Sequence, residues 1–128
     1  VSPLICYESV YGEMGLGETN LLAIITNDGW WGETAGYRQH FQYARLRAVE
    51  QRKSIIRSAN TGISGIINAR GNVIRSSNWS ESIYIGSEVP ISNHATFYSL
   101  FGDYIGRICA FLTFLLFLLS IVNVKLRS

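Results

Sequence analysis

Residues 4–9 read LICYES: an apolar run that ends on a cysteine, followed by an aromatic residue and a carboxylate. A thiol placed where a strand gives way to a turn is exposed at the end of a sheet, and the turn offers backbone N–H groups beside it. Cys6 is therefore a candidate nucleophile, the N–H of Tyr7 a candidate donor to an oxyanion, and Glu8 a candidate for contacting substrate or orienting its neighbours. Simple packing competes with this assignment, because cysteine is among the residues most often buried. The second cysteine, Cys109, lies in the most apolar stretch of the chain. A disulfide between that stretch and a core strand is geometrically unfavourable, so Cys6 is expected to be a free thiol.

Other residues compete for chemical roles. The stretch 28–37, DGWWGETAGY, is a glycine-rich loop with adjacent Trp30 and Trp31, opened by Asn27 and Asp28. Asp28 either orients this loop or ends the preceding strand through an Asx-turn. His40 has no second histidine near it in sequence, and a metal site needs a cluster, so it reads as structural and no metal or cofactor is expected. Asn60, Thr61 and Gly62 form a turn signal. The glycines of GEMGLGE lack the G-K-[ST] ending of a phosphate loop, and the sequon NWS at 78–80 is a pattern common by chance. Arginines in 38–53 alternate with apolar and acidic residues, the pattern of a solvated face rather than of a nucleic-acid surface.

The elements that position these residues follow from periodicity. PLICY (3–7) and NLLAIITN (20–27) read as buried strands, the second apolar enough to be covered on both faces. Residues 38–53 lack Gly and Pro and read as a helix with Tyr37, Phe41, Ala44 and Ala48 as its apolar stripe. Segments 54–60, 64–70 and 72–77 read as strands separated by turns, and 82–90 as a weaker strand or extended segment. Between Glu8 and Asn20 a helix could open, but Gly12, Gly15 and Gly17 weaken it. Strand, helix, strand, then hairpins indicate a layered α/β fold, at most one domain in 128 residues.

Charged residues make up 16% of the chain, against about 25% in soluble domains. The apolar excess concentrates in ICAFLTFLLFLLSIVNV, 108–124, which holds no charge and lies between Arg107 and Lys125. As a helix it would extend about 25 Å, enough to cross a bilayer core of about 30 Å if the flanking cations snorkel or the helix starts near Ile105. Tyr98, Phe101 and Tyr104 precede it as an interfacial belt would, and Lys125 and Arg127 favour a cytoplasmic C-terminus.

Taken in order, ICYE, ITNDGWWG, QHFQYARLRAVE, RSANTGIS and INARGNVI resemble the nitrilase superfamily of carbon–nitrogen hydrolases. With the terminal apolar helix, they resemble most its membrane-bound branch that acylates bacterial lipoproteins. The resemblance is strong from Pro3 to about Arg75 and looser from Phe97 to Val124. It implies an αββα sandwich and a Cys–Glu–Lys catalytic set. Cys6 falls on the nucleophile, Tyr7 on the oxyanion N–H, Glu8 on a supporting carboxylate, and Trp30 and Trp31, with Asn27 and Asp28, on the substrate side of the site. It implies a phospholipid acyl donor, an apolipoprotein amine as acceptor, no cofactor, no nucleic acid, a monomer, and a bacterial inner membrane with the catalytic part on the periplasmic side. An amidase hydrolysing a C–N bond is the alternative within the same chemistry, and a catalytically incomplete fragment is another.

The superfamily's general-base Glu and catalytic Lys precede the cysteine. Lys53 and Lys125 are the lysines present and neither sits there, so the sequence is expected to be the C-terminal part of a longer protein. On that expectation 1–97 belong to the catalytic domain, 98–107 are juxtamembrane, 108–124 span the membrane and 125–128 form a cytoplasmic tail. The stretch after Glu8 is about one helical turn shorter than the resemblance implies.

Overall fold

The computed structural model describes residues 1–127. Strands β1 (Ser2–Ile5), β2 (Leu21–Thr26), β3 (Ser54–Ala59), β4 (Gly65–Ile67) and β5 (Val73–Ser76) form one sheet in sequence order. The first three are parallel and the last three antiparallel. Helix α1 (Ala35–Gln51) connects β2 to β3, as a parallel pair requires. Thr34 caps its start by accepting the Gly36 N–H, and Arg52 ends it in a left-handed conformation at φ 53°.

Packing explains why these segments take these forms. Tyr37, Phe41, Ala44 and Ala48 recur at helical spacing and all are buried. Phe41, Ala44 and Ala48 meet Leu4, Leu22, Ile24, Ile55 and Ile67, the side chains on one face of the sheet. The other face carries Ile5, Ile25 and Ile56, all exposed, with Ile5 and Ile25 neighbours in register. The fold is thus α/β, and within these residues it supplies one sheet layer and one helical layer of the sandwich expected from sequence.

Two segments differ from expectation. After β1 the chain makes two 3-10 turns, Cys6–Val10 and Gly12–Gly15, rather than an α-helix, since closely spaced glycines raise the cost of helix propagation. Residues 82–90 form no strand; Pro90 and Gly86 interrupt the segment, and the Pro90 carbonyl instead accepts the Ser54 hydroxyl at 2.9 Å.

Thr96 then caps a short helix, α2 (Phe97–Phe101), and gives its hydroxyl proton to the Glu50 carbonyl at 2.6 Å, tying α2 to the end of α1. The last helix, α3 (Tyr104–Arg127), starts four residues before the uncharged run. Its 24 residues extend about 36 Å, which removes the shortfall of the shorter run against a bilayer core of about 30 Å. Ile108, Phe111, Leu112, Phe114, Leu116, Phe117 and Leu119 are all exposed, so no part of the sheet or α1 covers them. Lys125, Leu126 and Arg127 continue the helix, and Ser128 lies outside the described residues.

Candidate active site

Cys6 stands at the C-terminal end of β1, between the strand and the first 3-10 turn. Its φ of 51° is left-handed, a conformation costing a non-glycine residue on the order of 1–3 kcal/mol unless its surroundings enforce it. Those surroundings are specific. The Glu8 carboxylate accepts the Ile5 N–H at 2.7 Å, closing the turn around the cysteine. The Ser9 hydroxyl donates to the Cys6 carbonyl at 2.8 Å. The sulfur lies 3.3 Å from the Thr26 hydroxyl and 4.0 Å from the Asn27 carbonyl, on the neighbouring parallel strand end. Cys6 is half-buried and unpaired, as expected from sequence. The Tyr7 N–H is in the first turn of a 3-10 helix, where a backbone donor has no intrahelical partner.

Behind the cysteine lies a buried polar cluster. Asp28, wholly inaccessible to solvent, accepts the Thr26 hydroxyl at 3.0 Å and pairs with His40 Nδ1 at 2.8 Å through Oδ1; its Oδ2 accepts Arg57 Nη2 at 2.5 Å. His40 Nε2 meets Ser9 Oγ at 3.0 Å. Burial pushes the Asp28 carboxyl up, but the His40 hydrogen bond, the Arg57 and His40 charges and the Thr26 hydroxyl outweigh it and hold the group below its ordinary value. Burial pulls the Arg57 guanidinium down, against the opposing pull of Asp28 and of Cys6. Arg57 stays charged regardless, given how high guanidinium titrates. Its Nε donates to the Ile63 carbonyl at 3.1 Å and its guanidinium lies over the Phe41 ring.

The turn 60–62 braces this cluster. The Thr61 carbonyl accepts the Asp28 N–H at 2.7 Å. Gly62 has φ 126°, and a Cβ there would come within 2.5 Å of Asp28 Oδ2, so both the backbone and the close approach require glycine.

Aromatic residues wall the open side. Trp31 sits edge-on to His40 with ring centroids 5.1 Å apart, and Tyr7 contacts both at 6.4 and 6.1 Å. Trp30, beside it, is 87% exposed. Asn27 is exposed and closes an Asx-turn by accepting the Gly29 N–H at 3.1 Å.

Cys6, Tyr7, Glu8, Asn27 and Trp31 therefore come together around one elbow, Trp30 extends into solvent, and Asp28 sits beneath the elbow rather than on its open side. Sequence alone does not single out Ser9, Thr26 or Arg57, and it reads His40 as structural. A signal exists for two of them. His40 lies on the same face as Tyr37, Phe41 and Ala44, and Arg57 alternates with buried Ile55 in a strand; both are charged types at core positions. Among the described residues, no three His, Cys, Asp or Glu side chains converge as a metal site would require.

Comparison with known proteins adds the family. The sequence pattern described as carbon–nitrogen hydrolase matches residues 1–93. An apolipoprotein N-acyltransferase of Caulobacter vibrioides is 40% identical over 107 residues, 80% of this chain and 20% of that protein. One from Allorhizobium ampelinum is 53% identical over 74 residues, 56% of this chain and 14% of that protein. One from Rickettsia bellii is 38% identical over 119 residues, 90% of this chain and 24% of that protein. The chain thus spans between 14% and 24% of the length of these relatives. It belongs to the carbon–nitrogen hydrolase family.

Proposed function

We propose that this chain carries the nucleophile of a lipoprotein N-acyltransferase, and that Cys6 holds the acyl group as a thioester. The observation that carries the reading is the Cys6 elbow: a free thiol at φ 51° on the end of a parallel strand, followed by the Tyr7 N–H in the first turn of a 3-10 helix. The names of the relatives support the acceptor and reaction class.

In the first half-reaction, the thiolate of Cys6 attacks the ester carbonyl of a phospholipid. The tetrahedral oxyanion accepts hydrogen bonds, the Tyr7 N–H among them. The C–O bond breaks, the lysophospholipid alkoxide takes up a proton, and an S-acyl bond remains on Cys6. In the second, the α-amino group of a diacylglyceryl-cysteine attacks the thioester. An amide forms, the amine proton is removed by a base, and the thiol is restored. The base and a stabilising lysine belong, on this reading, to other parts of the longer protein, of whose relatives the chain spans 14–24%; Lys53, which follows α1, is held by the Gly17 carbonyl.

The remaining roles follow from placement. Glu8 fixes the turn through the Ile5 N–H, while Trp31 and exposed Trp30 line the approach of an acyl chain, with Asn27 at its edge. α3 anchors the chain in the bacterial inner membrane, where both substrates reside. Lys125 and Arg127 support a cytoplasmic C-terminus, and with it a sheet on the periplasmic side. The enzyme works as a monomer without cofactor.

The test is to incubate the full-length protein bearing this sequence with phospholipid and then add either water alone or a lipopeptide amine. A Cys6 adduct that persists in water and discharges to the amine is expected. Rapid release of free fatty acid in water would contradict transfer and favour a hydrolase.

A further inference from the structure

The side chains beneath Cys6 take no direct part in the chemistry above, yet their hydrogen bonds can be counted. A serine hydroxyl has one proton and a carbonyl only accepts. The Ser9 oxygen lies 2.8 Å from the Cys6 carbonyl and 3.0 Å from His40 Nε2, so its hydroxyl joins the two, its single proton serving one of them at a time. On the other side of the ring, Nδ1 faces the Asp28 carboxylate at 2.8 Å, which is also an acceptor. Nδ1 therefore donates to Asp28, which lies between the His40 ring and the Arg57 guanidinium, and Arg57 Nη2 stands 3.4 Å from the same ring nitrogen.

Thr26 closes the other limb. Its hydroxyl reaches both Asp28 Oδ1 at 3.0 Å and the Cys6 sulfur at 3.3 Å, and its single proton serves one of them at a time. While Cys6 is a thiol, Thr26 gives its proton to Asp28 and can accept from sulfur. When the sulfur is negative, Asp28 keeps His40 and Arg57 as donors and Thr26 can turn to the sulfur.

We propose that Ser9 and His40 are positioning residues for the nucleophile, parts of a hydrogen-bonded ring that runs from the Cys6 carbonyl through Ser9, His40, Asp28 and Thr26 back to the Cys6 sulfur. The ring holds the left-handed backbone of Cys6 and the direction of its sulfur together, with Arg57 as its anchor. This rests on Cys6 being the nucleophile; it does not depend on which acyl donor is used.

The test uses the full-length protein with Ser9→Ala and His40→Gln, and follows alkylation of Cys6 by iodoacetamide. Variants that retain a cooperative melting transition are expected to alkylate at least about tenfold more slowly, because misdirected sulfur reacts poorly. A merely structural role would do the opposite, since loosening the domain exposes the thiol. Unchanged or faster alkylation in both folded variants overturns the proposal. Should a variant fail to fold, nitrogen-15 NMR of the unsubstituted protein labelled at histidine decides. A proton on His40 Nδ1, the nitrogen facing Asp28, is expected, and a bare Nδ1 overturns the ring. A missing phospholipid adduct alongside the alkylation contrast would remove the acyltransferase reading and leave the ring standing.

Discussion

Cys6 and Cys109 are the same side chain in two opposite settings. Around Cys6 the ionisable groups are inside: Asp28, His40 and Arg57 are buried, paired and walled by Trp31, Tyr7 and Phe41. Around Cys109 the apolar residues are outside, on a helix that none of the other described residues covers. In the elbow region the protein is its own solvent, since the buried Asp28 and Arg57 charges lie against each other. On α3 the solvent must come from elsewhere, and a lipid bilayer matches its length and composition. Cys109 lies within that helix rather than at a turn, and its polar neighbour, the Thr113 hydroxyl, donates to its carbonyl at 2.8 Å and not to its sulfur.

The sharpest way to break this contrast is to exchange the cysteines' fates. Cys6→Ala is expected to abolish lipoprotein N-acylation by the full-length protein, while Cys109→Ala leaves it essentially unchanged, as read by mass spectrometry of the lipopeptide product. Retained acylation without the Cys6 sulfur would collapse the difference between the two regions.

Next in size is the buried charge. Asp28→Asn leaves Arg57 without its anion and is expected to cost about 3–5 kcal/mol in urea unfolding. The pH dependence has a fixed sign. The Asp28 carboxyl sits lower in the fold than its unfolded value of about 3.9, so its contribution is full above that value and is lost as pH falls through the lower, folded one. Stability should therefore hold from neutral pH to about 4 and drop below it, and Asp28→Asn should flatten its share of that drop.

A third test acts on α3 alone. Leu116→Lys puts a charge near the middle of the helix and is expected to oppose insertion by about 2.5–3.5 kcal/mol, seen as release by alkaline carbonate, without moving the urea midpoint of the sheet. The smallest effect belongs to the one ion pair between the regions among the described residues. Arg107 and Glu13 meet at 3.0 Å but both are well exposed, so Glu13→Ala should change the melting free energy by no more than about 1 kcal/mol. A larger loss would mean that the start of α3 and the turn after Cys6 are mechanically coupled.

Much of this is legible in the sequence. The helix stripe Tyr37, Phe41, Ala44 and Ala48, the strands around it, the free thiol at Cys6 and the uncovered terminal helix follow from period, composition and turn residues. The ring behind Cys6 does not, for a physical reason. Ser9, Asp28, His40 and Arg57 are separated by 12 to 31 residues along the chain in their paired contacts, and only the parallel crossover through α1 brings them to one strand end. Weighing His40 as a metal ligand looks for like neighbours in sequence, whereas its partners are a serine and a carboxylate on two other segments. Residues 82–90 depart from expectation for a different reason: apolar alternation in SIYIG promises a strand, but no sheet edge accepts it.

The most direct test of the central claim is intact-protein and peptide mass spectrometry of the full-length protein after incubation with phospholipid and no acceptor. The account predicts one acyl mass on the peptide containing Cys6, none on that containing Cys109, and its loss when a lipopeptide amine is added. A folded, membrane-inserted protein that shows no adduct on Cys6, or one that acylates its acceptor with Cys6 unmodified throughout, would contradict it.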